Sequence, residues 1–130
     1  MAIQVGDSIP DANINILKDG VQAVSTGEFF KGRKVVLFAV PGAFTPTCSA
    51  KHLPGYIEHA EAFTAKGYDV ACLSVNDAFV MSAWAKSQNA PESIQMIADG
   101  NAEFTKALGL ELDATPFGMG LRAKRFALVA

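Results

Sequence analysis

Val35-Val36-Leu37-Phe38-Ala39-Val40 runs directly into Pro41-Gly42-Ala43-Phe44-Thr45-Pro46-Thr47-Cys48-Ser49. An unbroken apolar run with no polar alternation is expected to form a strand buried on both faces, as at the centre of a parallel sheet. Pro41 has no backbone N–H to give to a ladder, so regular pairing should stop there. A helix is expected to start near Thr47 and to run towards Lys66. Cys48 would then lie in the first helical turn, facing unsatisfied backbone N–H groups and the positive end of the helix. Both favour a thiolate, so the thiol should titrate below its ordinary value of about 8.5.

The flanking sequence supplies the rest of an alternating pattern. Upstream, Asn13 to Leu17 reads as a short edge strand, and Asp19-Gly20 as a turn into Val21 to Val24. Ser25 and Glu28 have capping-box spacing for one turn of helix, with Phe29 and Phe30 as core anchors. Downstream, Leu53, Tyr56, Ile57, Ala60 and Phe63 recur at helical spacing, with Pro54 expected to kink or divide the helix. Asp69 to Val75 is the next strand, with Val70, Cys72 and Ser74 on one face and Ala71, Leu73 and Val75 on the other. Asp77 reads as the carboxylate starting a helix over residues 78–86, with a stripe of Phe79, Val80, Ala83 and Trp84. Ile94 to Ala98 is a third strand. Asn101 is expected to cap a short helix that buries Phe104 and Leu108. Residues 110–121 read as a loop, and Lys124 to Ala130 as a final strand. Strands alternating with helices predict an α/β fold: a central β-sheet with helices on its faces.

Bulk properties narrow the function. The 130 residues suit one domain, 1–130, and half of them are apolar, enough for a real core. A net charge of -2 lacks the basic footprint of a nucleic-acid binder. There is no run of membrane-spanning length and no secretory leader pattern. Two cysteines do not make a disulfide scaffold, so a reducing compartment is expected, the cytoplasm by default or an organelle where a transit peptide has been removed. Two cysteines and two histidines without compact pair spacing also argue against a structural metal site. No Gly-rich phosphate loop follows Val40, and no cofactor is expected.

A thiolate that attacks an O–O bond becomes a sulfenic acid and expels hydroxide or alkoxide. The residues around Cys48 suit that chemistry. The Thr45 hydroxyl can donate to and accept from a bound hydroperoxide. Pro41 stiffens the approach. A guanidinium would stabilise the charge arriving on the distal oxygen. Arg125 opens the last strand, and parallel strands would bring its end near Cys48; Arg122 and Arg33 are the competitors. His52, four residues after Cys48, would share its helical face and is read as a hydrogen-bonding scaffold of the pocket. The bland alternatives are a surface charge for Arg125 and a simple helix cap for Thr45.

Pro41-Gly42-Ala43-Phe44-Thr45-Pro46-Thr47-Cys48-Ser49, with His52-Leu53-Pro54-Gly55-Tyr56 behind it, resembles the active-site segment of the type II, or peroxiredoxin 5, subfamily of peroxiredoxins. Ala71-Cys72-Leu73-Ser74-Val75-Asn76-Asp77, Ala98-Asp99-Gly100-Asn101 and Lys124-Arg125-Phe126 are similar to the same subfamily. The resemblance implies a thioredoxin-like fold with a mixed sheet. It also implies reduction of hydrogen peroxide and organic hydroperoxides, recycling by glutaredoxin or thioredoxin, and a homodimer across the face bearing the active site. Cys48 matches the peroxidatic cysteine, Thr45 the peroxide-orienting threonine, Pro41 the shielding proline and Arg125 the active-site arginine. The family continues with a further strand and a C-terminal helix, so the domain is expected to be incomplete at its C-terminus. The segment from Thr115 to Arg122 is shorter than is usual.

Cys72 carries two readings. The resemblance to plant type II members implies a resolving cysteine that closes a disulfide with Cys48. Its position in a central strand equally suits a buried small hydrophobe, and a one-cysteine cycle with an external thiol is the default. A non-enzymatic peroxide sensor using Cys48 is the alternative to a peroxidase. A dithiol exchanger is disfavoured, because Thr45 stands where Cys-x-x-Cys would need its first cysteine.

Overall fold

The computed structural model describes residues 2–17, 20–44, 53–90 and 94–129. Val35–Ala39 forms β3, an interior strand with every residue buried. It pairs in parallel with β4 (Asp69–Ser74), which pairs in parallel with β5 (Ile94–Ala98). β1 (Asn13–Leu17) runs antiparallel to β5 and to β2 (Val21–Ser25). The final strand β8 (Phe126–Val129) pairs with β3, giving a six-stranded mixed sheet of order β2-β1-β5-β4-β3-β8. β8 is antiparallel to β3, with Phe126 opposite Ala39. That corrects the expectation that Arg125 arrives by parallel pairing. A parallel last strand would have started at the opposite end of β3. Its reversal brings the start of β8 to the end of β3.

Helices cover both faces. On one, α2 (Leu53–Ala65) and α3 (Ala78–Ser87) pack Leu53, Ala60, Met81 and Trp84 against Phe38, Val70 and Cys72. On the other, α1 (Thr26–Phe30) and α4 (Glu103–Leu108) pack Phe29, Phe104 and Leu108 against Leu37, Ala71, Leu73 and Ile97. The strand alternation expected for residues 70–75 holds.

Local chemistry explains the helix starts. Ser25 Oγ accepts from the Glu28 N–H at 3.2 Å, and the Asp77 carboxylate accepts from Val80 N–H at 2.8 Å. α4 departs from expectation. Asn101 does not cap it; the residue before it is Ala102, in the left-handed region at φ 58°. Asp99, at the end of β5, does the capping from a distance. Its carboxylate accepts from Phe104 N–H, Thr105 N–H and the Thr105 hydroxyl at 3.2, 2.7 and 2.6 Å.

Two further expectations are corrected. α3 buries Ala78, Met81 and Trp84, while Phe79 is 65% exposed and Ala83 is exposed. The segment AFVMSAWA has one polar residue, Ser82, so its periodicity fits two faces; burial of Met81 and Trp84 in the core selects one. Residues 110–121 are no open loop. β6 (Glu111–Asp113) and β7 (Leu121–Ala123) form an antiparallel hairpin, with one turn of 3-10 helix at Thr115–Phe117 between them. The Pro54 kink expected in a helix from Thr47 falls partly outside the described residues.

Candidate active site

The ends of β3, β4 and β5 lie side by side, since Ala39 pairs with Leu73 and Ser74 with Ala98. At this end of an open α/β sheet, the loops that follow the strands make a crevice. Val40 N–H still bonds the Leu73 carbonyl at 3.0 Å, and Asp99 N–H bonds that of Ser74 at 3.0 Å. Pro41, half-buried, then ends the ladder. Beyond it the chain turns at Ala43-Phe44, with Phe44 at φ 63° and more than half exposed. Thr45, Cys48 and His52 lie outside the described residues. What the structure fixes is the strand end and turn from which that segment departs.

The three arginines separate cleanly. Arg33 precedes β3 and sits at the opposite end of the sheet. Its Nε meets Asp69 at 2.9 Å, its other nitrogens bond the Phe29 carbonyl and Gln95, and its guanidinium lies 4.6 Å from the Phe29 ring centre. It is a staple between elements, at the end of the sheet away from Ala39 and Pro41. Arg122 is on β7; its Nε donates to the Met119 carbonyl at 3.0 Å and its Nη1 to the Val75 carbonyl at 3.2 Å. Arg125 immediately precedes Phe126, the partner of Ala39, so its backbone stands beside the end of β3. It is exposed.

Cys72 is fully buried at mid-sheet, flanked by Phe38 on β3 and Met96 on β5. Above it, the Tyr56 ring stacks on Phe38 at 3.8 Å between centroids and 3° between planes. Burial, and then the charge of Cys72, push the Tyr56 phenol above its ordinary 10.0. His59 is exposed. Among the described residues no group of His, Cys, Asp and Glu is arranged to hold a metal ion, and no helix is long and apolar enough to cross a membrane.

One residue of the site was given no role of its own in the sequence. Asn76 Oδ1 accepts from the Ala43 N–H at 3.0 Å and from the Ser74 hydroxyl at 2.6 Å. The signal available was an asparagine just past a buried strand, a place where polar side chains bind neighbouring backbone. Which backbone it binds is a matter of strand order.

Residues 4–130 match the Redoxin family. The chain is 53% identical to the chloroplastic Peroxiredoxin-2E-2 of Oryza sativa subsp. japonica, over 98% of this chain and 60% of that protein. It is 50% identical to Peroxiredoxin-2B of Arabidopsis thaliana, over 98% of this chain and 80% of the relative. It therefore spans less than two thirds of the rice relative and four fifths of the Arabidopsis one. Among solved structures, reduced Prx3 of Vibrio vulnificus in complex with hydrogen peroxide superposes with a TM-score of 0.92 at 56% identity, over 98% of this chain and 80% of that one. A mixed sheet with helices on both faces, a proline-flanked turn leaving the end of its buried central strand, and this degree of identity together make the chain a member of the peroxiredoxin family, closely related to its type II branch.

Proposed function

We propose that the protein is a thiol-dependent peroxidase with Cys48 as its nucleophile. The observation that carries the reading is that the chain leading to Cys48 leaves the carboxyl end of the buried strand β3 through Pro41, in a chain 56% identical to a peroxide-binding Prx3. The Cys48 thiolate attacks one peroxide oxygen. An S–O bond forms, the O–O bond breaks, and the distal oxygen leaves as hydroxide or alkoxide and takes up a proton. Sulfur is oxidised to sulfenic acid. A thiol of glutaredoxin or thioredoxin attacks that sulfur, releasing water and leaving a mixed disulfide. The reductant's second thiol, or another thiol molecule, reopens it.

Thr45 orients the peroxide, Pro41 shields the thiolate, and Arg125 stabilises the departing oxygen. Arg125 is supported by the antiparallel register of β8, with Phe126 opposite Ala39. His52 is a scaffold of the pocket. Cys72 is structural, a reading supported by its full burial in β4 between Phe38 and Met96. The cycle belongs in a reducing compartment, the cytoplasm by default. The active unit is a homodimer joined across the end of the sheet where Phe44 and Phe79 are exposed.

Reduced protein given one equivalent of hydrogen peroxide, then a sulfenic-acid trap and peptide mass spectrometry, should carry the adduct on Cys48. The C48S variant should neither carry it nor consume peroxide. Peroxide consumption by C48S at the parent rate would sink the reading.

A further inference from the structure

The corner between β4 and α3 touches both segments that lead into the proposed site. Asn76 takes two hydrogen bonds on one oxygen, from Ala43 N–H and from the Ser74 hydroxyl. The Ser74 bond orients the amide, and the Ala43 bond ties down the turn that leads to Thr45 and Cys48. That turn needs holding. Phe44 occupies the left-handed region, which a bulky residue adopts only where its surroundings impose it. With the residue 55% exposed, packing does little to impose it. One residue before Asn76, the Val75 carbonyl accepts from Arg122. The same guanidinium holds the Met119 carbonyl, so the whole β6–β7 hairpin is latched to the end of β4. The chain leaves that hairpin through Lys124 straight into Arg125.

From these contacts we propose that the Val75–Asn76 corner is the shared positioning element of the active site: Asn76 sets the segment carrying Thr45 and Cys48, and Val75, through Arg122, sets the segment carrying Arg125. Asn76 and Arg122 are positioning residues, and neither is assigned contact with peroxide. Because both latches end on adjacent residues just past the buried strand β4, breaking either alters the spacing of thiolate and guanidinium while leaving both groups in the protein. The inference rests on the assignment of Cys48 and Arg125 above.

The test compares parent, N76A, N76D and R122M in three measurements: rapid-mixing oxidation by hydrogen peroxide across pH, alkylation of Cys48 by iodoacetamide across pH, and thermal unfolding. At the high-pH plateau, where the thiolate is fully formed, N76A and R122M should each oxidise about tenfold or more slowly, the scale expected of misplaced reacting groups. Their plateau alkylation rates should stay near the parent's, since alkylation needs only an accessible thiolate. N76D keeps the acceptor oxygen and should recover most of the peroxide rate at that plateau. Parent-like peroxide rates in N76A and R122M would overturn the proposal, as would a loss of alkylation and oxidation in equal proportion. If N76A does not fold, R122M decides: it removes the donors but keeps much of the side-chain stem. A parent protein that gives no sulfenic acid at Cys48 would instead overturn the functional assignment.

Discussion

At the scale of single residues, Cys72 and Tyr56 show how burial constrains chemistry. Cys72 lies among Phe38, Val70, Trp84 and Ile94 with no exposed surface. The C72A variant should consume peroxide at the parent rate with an external thiol. C72S should do so too, but should lose roughly 1–3 kcal/mol to urea unfolding, the cost of a buried hydroxyl left short of partners. A Cys48–Cys72 disulfide detected by mass spectrometry in oxidised parent protein would reverse this assignment. Tyr56 makes a pH prediction. Its phenol titrates above 10.0 in the folded chain, first through burial and then through Cys72. The folded state thus holds the proton more tightly than the unfolded one. This contribution to stability is intact below pH ~10 and is lost as pH climbs through the raised value. Y56F should therefore show a shallower loss of stability on that alkaline limb, read by urea unfolding at stepped pH.

At the scale of elements, α4 depends on a residue outside it. The helix spans only Glu103–Leu108, and Ala102 offers no side-chain cap. Asp99, 2% exposed, supplies the missing acceptors through three hydrogen bonds. A helix this short is not stable alone and needs its anchor. D99A should cost about 2–3 kcal/mol, since it strands buried donors that had a charged partner. Urea unfolding gives the total, and hydrogen exchange should show Phe104 and Thr105 amides losing protection first. Unchanged protection there would mean that packing of Phe104 and Leu108 alone holds the helix.

At the scale of the whole molecule, one end of the sheet gathers the loops that follow β3, β4 and β5 and the start of β8. Exposed aromatics collect there: Phe44 beside the Asn76 latch and Phe79 on the first turn of α3. Large exposed aromatics are typical of contact surfaces, whose centres exclude charge. F79E should convert a dimeric parent to monomer in sedimentation experiments while Cys48 remains oxidisable. A parent that sediments as a monomer at tens of micromolar protein would remove the dimer from the account.

The sequence by itself determined the parts that depend on neighbours along the chain. The apolar run Val35–Val40 read as a strand buried on both faces, the Ser25 and Asp77 caps were readable locally, and the segment around Cys48 carried the family. The tertiary structure decided what depends on distant partners. β8 could run either way until it met β3, and its antiparallel course brings Arg125 to the end of β3 from which the Cys48 segment leaves. α3 offered apolar residues on more than one side until the core chose Trp84 and left Phe79 outside. Asp99 and Asn76 looked like ordinary loop polars until strand order put α4 over one and the Ala43 turn beside the other. The physical reason is common to all four. A side-chain acceptor, an apolar face or an unpaired strand edge is satisfied by whatever the sheet brings to it, and sheet order is a long-range property that no local pattern encodes.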